Sequence, residues 1–296
     1  MKTYFSLIAI AVLLLTACQK VVDADTLLDT EEEIFITGYI APQDTVLRVN
    51  VTRALPSIGT PLSVNDQEEN EAQFLIRDAL VSISDASGNT TDLTYDEESK
   101  TYLADAVSLP ILTDQEYFLK VIVAGNEYNA SCKIPQPITE INELITFNED
   151  TFGNRLANIN LSFEDLVGQR NFYVLGGRVS TVVQYEGEEP ESFEFSLPFD
   201  SDTFLSDNLV DGGVLNGESE TFISNDAAVS ETEIMLQVAN VEESLFQNLR
   251  ATSTNADAEG NPFVEYAIAP NNFSEQGAIG VFAGYQLTEK VIQIEL

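Results

Sequence analysis

In the segment NADAEGN, Asn255, Asp257 and Glu259 occupy the first, third and fifth places of a calcium-loop spacing, with Gly260 at the sixth. Oxygen ligands at such intervals around a sharp glycine turn suit a hard divalent cation. The twelfth place holds Tyr266 instead of a bidentate glutamate, so a solvated turn is the favoured reading and calcium the alternative. A second acidic group, Asp200, Asp202, Asp207 and Asp211 in DSDTFLSDNLVDGG, reads as an exposed loop that could take calcium outside any standard loop. Histidine is absent from all 296 residues. That removes Ser-His-Asp and Cys-His nucleophiles, HExxH zinc sites and any imidazole base. Glycosidase-type chemistry needs only two suitably spaced carboxyls, and among 49 acids no spacing selects a pair. The chain reads as non-enzymatic, with a carboxylate-dependent hydrolase of surface polymers and a calcium-stabilised adhesin or structural module as alternatives.

Cys18 carries the most specific chemistry. Lys2 precedes the apolar run Leu7 to Leu15, and Thr16 and Ala17 stand just before the cysteine. The run falls short of the roughly 20 residues that cross about 30 Å of hydrocarbon, so it reads as an export signal. Leu15-Thr16-Ala17-Cys18 resembles a bacterial lipobox, which implies removal of residues 1–17 and acylation of Cys18 as the new N-terminus. Two or three acyl chains give lasting membrane attachment where one does not. Residues 18–33 are acidic without strand or helix periodicity and read as a flexible tether.

The balance of 13 Lys+Arg against 49 Asp+Glu gives a net charge of −36. Loss of Lys2 with residues 1–17 would make it −36 − 1 = −37. Such a field repels phosphate backbones and argues against nucleic acid as a partner. Cys132 alternates with Tyr128, Ala130 and Ile134 and reads as a buried small apolar side chain.

These residues must be positioned mainly by strands. IFITGYI and VLRVNVTR alternate apolar and polar residues, DASGN supplies a hairpin turn, and YFLKVIVAGNEYNASCKIP reads as two strands hinged at Ala124-Gly125-Asn126. Pro135 and Pro137 break the pattern, so the predicted units are an immunoglobulin-like β-sandwich over 34–136 and a β-rich domain over 137–296. In the second unit Asn240 and Glu243 form a capping-box-like start, followed by an apolar face of Leu245, Phe246 and Leu249. The expected class is all-β, two antiparallel sandwich-like domains with one short helix in the C-terminal domain. Phe172, Tyr173, Phe193 and Phe195 read as core. Gly277, Gly280 and Gly284 read as sites of close backbone packing.

The lipobox, GYIAP, YNASCKIPQP and VEYAIAPNNFSEQGAIGVFAGY together resemble a family of Bacteroidota lipoproteins catalogued as domain of unknown function 4249. The resemblance implies no catalytic residues. It implies an outer-membrane, lipid-anchored accessory protein that partners a TonB-dependent receptor in nutrient uptake. The glycine- and aromatic-rich stretch Asn271 to Tyr285, with Phe273, Phe282 and Tyr285, is the expected contact segment. DTL and DTV resemble the Asp-Thr-aliphatic O-glycosylation motif of exported proteins of that phylum, with Thr26 and Thr45 as acceptors. Cys18→Ala is expected to abolish acylation and leave the chain unprocessed; a variant recovered lipid-modified and firmly membrane-bound would refute the lipobox.

Overall fold

The computed structural model describes residues 33–54, 63, 66–149, 155–208, 211–224, 228–257, 267–274 and 276–294. Alternation decides the first strands. In β1 (Glu33–Ile40) Ile34, Ile36 and Ile40 point inward, and in β2 (Val46–Ala54) Leu47, Val49 and Val51 do so. β3 (Leu80–Asp85) and β4 (Thr90–Asp96) meet at a turn where Asp85 Oδ1 accepts the N–H groups of Ser87 and Asn89, both at 2.9 Å. β5 (Thr101–Asp105) follows. β6 (Glu116–Val123) and β7 (Asn126–Lys133) turn through Ala124 and Gly125, both at positive φ, as a tight primed hairpin requires. The acidic connection after β2 contains a short helix α1 (Gln67–Phe74), capped by Asp66, whose Oδ1 accepts from Glu69 N at 2.9 Å.

Beyond Pro135 the strands are β8 (Asn142–Glu149), β9 (Arg155–Glu164), β10 (Phe172–Val183), β11 (Glu191–Ser196), β12 (Phe204–Ser206), β13 (Val214–Ile223), β14 (Val229–Val241) and β15 (Ala278–Gln293). One large mixed sheet runs β11-β10-β14-β15-β1-β2-β5-β4-β3-β6-β7, with β12 also on β10; β13-β9-β8 form a small second sheet. The protein is all-β and sandwich-like. The inward residues of β1 to β7 share one core with Phe273, Ala278 and Phe282. The small sheet lays Ile159, Leu161 and Phe163 on Leu175, Ile234, Leu236 and Val238 of the large one. On the opposite face, α2 (Glu243–Asp257) docks Leu245 and Phe246 against Phe172, Val241 and Val281. That apolar face is as expected, but the cap is not. Asn240 is buried in β14 and donates from Nδ2 to Gln136 O at 2.9 Å, while Glu242 O accepts the Phe246 N–H.

The expected division at 136/137 is crossed by β15. Residues 278–284 pair in parallel with β1, and residues 285–293 pair antiparallel with β14. The first sandwich therefore borrows a strand from the far end of the chain, and its antiparallel pattern includes one parallel pair. Two glycines permit this. A Cβ at Gly280, whose φ is +131°, would lie 1.9 Å from Ile36 O, and one at Gly284 would lie 2.6 Å from Lys133 O. β15 runs unbroken from Ala278 to Gln293.

At that crossing Glu242 joins β7 to β15. Its carboxylate accepts Lys133 N at 2.7 Å and Gly284 N at 2.8 Å. Burial pushes its carboxyl above the usual range, the two N–H groups oppose this, and the charge of Glu116 adds to it. The folded protein thus holds the proton more tightly than the unfolded chain. The associated stability is fully present below the ordinary value of 4.5 and is lost as pH rises through the folded-state value.

Gly280→Ala is expected to cost more than about 3 kcal/mol in urea unfolding, because both backbone strain and a backbone clash oppose it. Gly176→Ala, with open space around it, should stay within about 1 kcal/mol of wild type; equal effects would show that the β1–β15 approach is not tight. For Glu242→Gln, the urea midpoint relative to wild type should move in the variant's favour between acid and neutral pH. A gap independent of pH would show that burial of Glu242 does not perturb it.

Candidate functional site

The large sheet extends past its cover. Along ESFEFSLPF one face presents Phe193, Phe195, Leu197 and Phe199. Leu197 and Phe199 are buried under the small sheet, but Phe193 and Phe195 are 44% and 60% exposed. Among the described residues β11 is the end strand of the large sheet, bonded to β10 alone, with all six of its residues exposed. Beside it Tyr185 and Phe222 are also exposed. A groove of about 510 Å³ lies between the β10–β11 hairpin and the end of β13, walled by Val183, Tyr185, Phe193, Phe195, Phe222 and Val229. An open strand edge beside an apolar groove can accept an extended segment, the edge giving main-chain bonds and the groove side-chain pockets. The alternation of Phe193 and Phe195 was legible, but their expected core position is corrected: three covering strands are too few to reach them. Glu186, Glu188 and Glu189 lie in the exposed turn before them.

In the contact segment expected from the sequence, the aromatic residues are turned into the protein. Phe273 and Phe282 are buried in the first core. Tyr285 is half-buried and donates its hydroxyl to Asp44 Oδ1 at 2.9 Å; burial, then the Asp44 charge, holds that phenol well above the usual range. The Asn272 side chain bonds both main-chain groups of Phe282, at 2.6 and 2.9 Å, in the manner of a neighbouring strand. These three aromatics therefore do not form a platform, because β15 is an internal strand. Cys132 is buried and its thiol is pushed well above the ordinary range by desolvation, as a structural cysteine should be.

Thr45 is exposed on the β1–β2 turn, while Asp44 of the same motif accepts Ala41 N at 2.7 Å to close that turn. Cys18 and Thr26 lie outside the described residues. So does Glu259. Asn255 and Asp257 fall in the last turn of α2 instead of a loop. The Asn255 carboxamide accepts Ala267 N at 2.7 Å and donates to Ala267 O at 3.0 Å, so it tethers the following segment. The first and third places of the calcium-loop spacing are thus helical.

A different acidic group comes together. Asp165 follows β9, Asp207 follows β12 and Asp211 precedes β13, and one carboxylate oxygen of each lies within 4.8 Å of the others. Asp165 Oδ1 accepts the Tyr173 hydroxyl at 2.6 Å and Asn171 Nδ2 at 3.2 Å, and its Oδ2 accepts Gly212 N at 2.9 Å. Asp211 Oδ1 accepts Gly168 N at 2.8 Å. Asp165 and Asp207 are buried. Arg170, in the same loop, turns away to Asn208 Oδ1, to Glu243 and onto the face of Phe172. Sequence reasoning grouped Asp207 and Asp211 but missed Asp165, whose only signal was an acid at the end of a strand; Asp200 and Asp202 lie elsewhere, with Asp202 accepting Glu218 N at 3.1 Å.

Fold and groove together define an all-β, sandwich-like protein with an open strand edge beside an apolar cleft. The chain belongs to the family described as domain of unknown function DUF4249, whose model matches residues 20–291. No curated protein matches it.

Proposed function

We propose that this protein is a lipid-anchored outer-membrane accessory protein of Bacteroidota that acts by binding, and that its partner is a TonB-dependent receptor engaged in nutrient uptake. The observation that carries the reading is the aromatic groove beside the open edge of β11, where Tyr185, Phe193, Phe195 and Phe222 are each more than two-fifths exposed. Contiguous apolar surface at an unpaired strand edge marks an interaction site. The occupant is an extended receptor segment that adds to β11, seats apolar side chains in the groove and carries basic flanks, which a chain of net charge −36 attracts. Acylation at Cys18 would confine both proteins to one surface and raise their effective concentration, so an interface of modest size suffices.

A photocrosslinking residue in place of Phe195, in cells, should trap a TonB-dependent receptor. Phe195→Glu with Phe222→Glu should weaken that association at least about tenfold while leaving the melting temperature unchanged, because truncating exposed anchors removes binding without touching the core. Retained association in the double variant, or turnover of a surface polymer lost on changing a single buried carboxylate, would overturn the reading.

A further inference from the structure

We propose that Asp165, Asp207 and Asp211 form a calcium site at the end of the second sandwich opposite the aromatic groove. Asp165 and Asp211 are aimed by main-chain and side-chain donors and need nothing further to hold them. Asp207 differs from both. It is only 8% exposed, and among the described residues no hydrogen-bond donor or cation meets its carboxylate, which points at the other two. Three carboxylates held this close repel one another, and a cation among them would relieve that repulsion.

The donor set is entirely oxygen, which selects a hard cation over zinc or copper. Ligand oxygens on opposite sides of an ion are at most twice its bond length apart: about 4.8 Å for calcium at about 2.4 Å, and about 4.2 Å for magnesium. Three protein carboxylates within 4.8 Å of one another suit calcium, which takes most of its shell from protein oxygens, better than magnesium, which keeps several waters. Main-chain carbonyls and waters would bring the shell to the six to eight or so oxygens calcium takes. Bound there, calcium would cross-link the loop after β9 to the loop before β13, so it would stabilise the folded chain by mass action.

The test uses the full mature protein stripped with chelator. Calcium should raise its melting temperature, and terbium should luminesce when tyrosine is excited, since the Tyr173 hydroxyl touches Asp165 and the chain has no tryptophan to act as donor. Asp207→Asn should weaken calcium at least about tenfold. In chelator it should melt at or above the wild-type temperature, since the removed charge had no partner. Asp200→Asn, an exposed acid outside the cluster, should behave as wild type in every measurement and so controls for diffuse binding to an acidic surface. Asp211→Asn serves as the second variant if Asp207→Asn does not fold. The proposal is overturned if calcium leaves the wild-type melting temperature unchanged, if magnesium shifts it equally, or if the cluster variants respond like Asp200→Asn.

Discussion

Both sandwiches hang on one shared strand. β15 is sixteen residues long, and its first seven pair in parallel with β1 while the remainder pair antiparallel with β14. A parallel partner cannot come from an adjacent hairpin, so β1 waits for residues almost at the other end of the chain. Contacts of such sequence separation form late and slowly, because loop closure must precede them. The glycines at 280 and 284 let the backbones of β1 and β7 approach that strand. Glu242 then closes the remaining gap with two accepted N–H bonds, so the junction between the two halves is part of both cores and not a linker.

What remains available for function follows from the layers. α2 covers one face of the large sheet where β10, β14 and the first half of β15 meet, and on the other face β10 and β14 are covered, among the described residues, by a sheet of three strands. At one end β13 pairs Val214 with Glu164 beside the acidic cluster, and at the other it pairs Ile223 with Arg155 beside the aromatic groove. Ten residues of strand at about 3.4 Å each separate the two features by roughly 30 Å. The two features thus lie at opposite ends of one strand pair.

Three large tyrosines, Tyr102, Tyr117 and Tyr173, each at most 1% exposed, bring hydroxyls into the cores and find partners there. Tyr102 donates to Ile76 O at 2.8 Å and accepts Ala79 N at 2.9 Å; Tyr117 donates to Pro110 O at 3.0 Å and accepts Leu112 N at 2.7 Å. Each tyrosine thereby pins an irregular connection to the sheet. Ion pairs such as Lys120 with Glu127 and Arg170 with Glu243 are surface pairs worth little. Apolar burial and main-chain pairing carry the fold.

Local chemistry made much of this legible. Period-two alternation placed β1, β2, β6 and β7, the Asp85 turn and the Ala124-Gly125 hairpin follow from residue type, and the apolar stripe of α2 follows from helical spacing. Absence of histidine narrowed the chemistry without any coordinates. Alternation reports only that one face of a strand is apolar, and says nothing about what covers that face. Hence Phe193 and Phe195 looked like core and are exposed, whereas Phe273 and Phe282 looked available and are buried. Spacing along the chain likewise suggested calcium ligands at Asn255 and Asp257, which lie in a helix, while Asp165 joined Asp207 and Asp211 only in space. The extent of one sheet over another, the far partner of β1 and the meeting of three loops are set by long-range packing, and only the tertiary structure decided them.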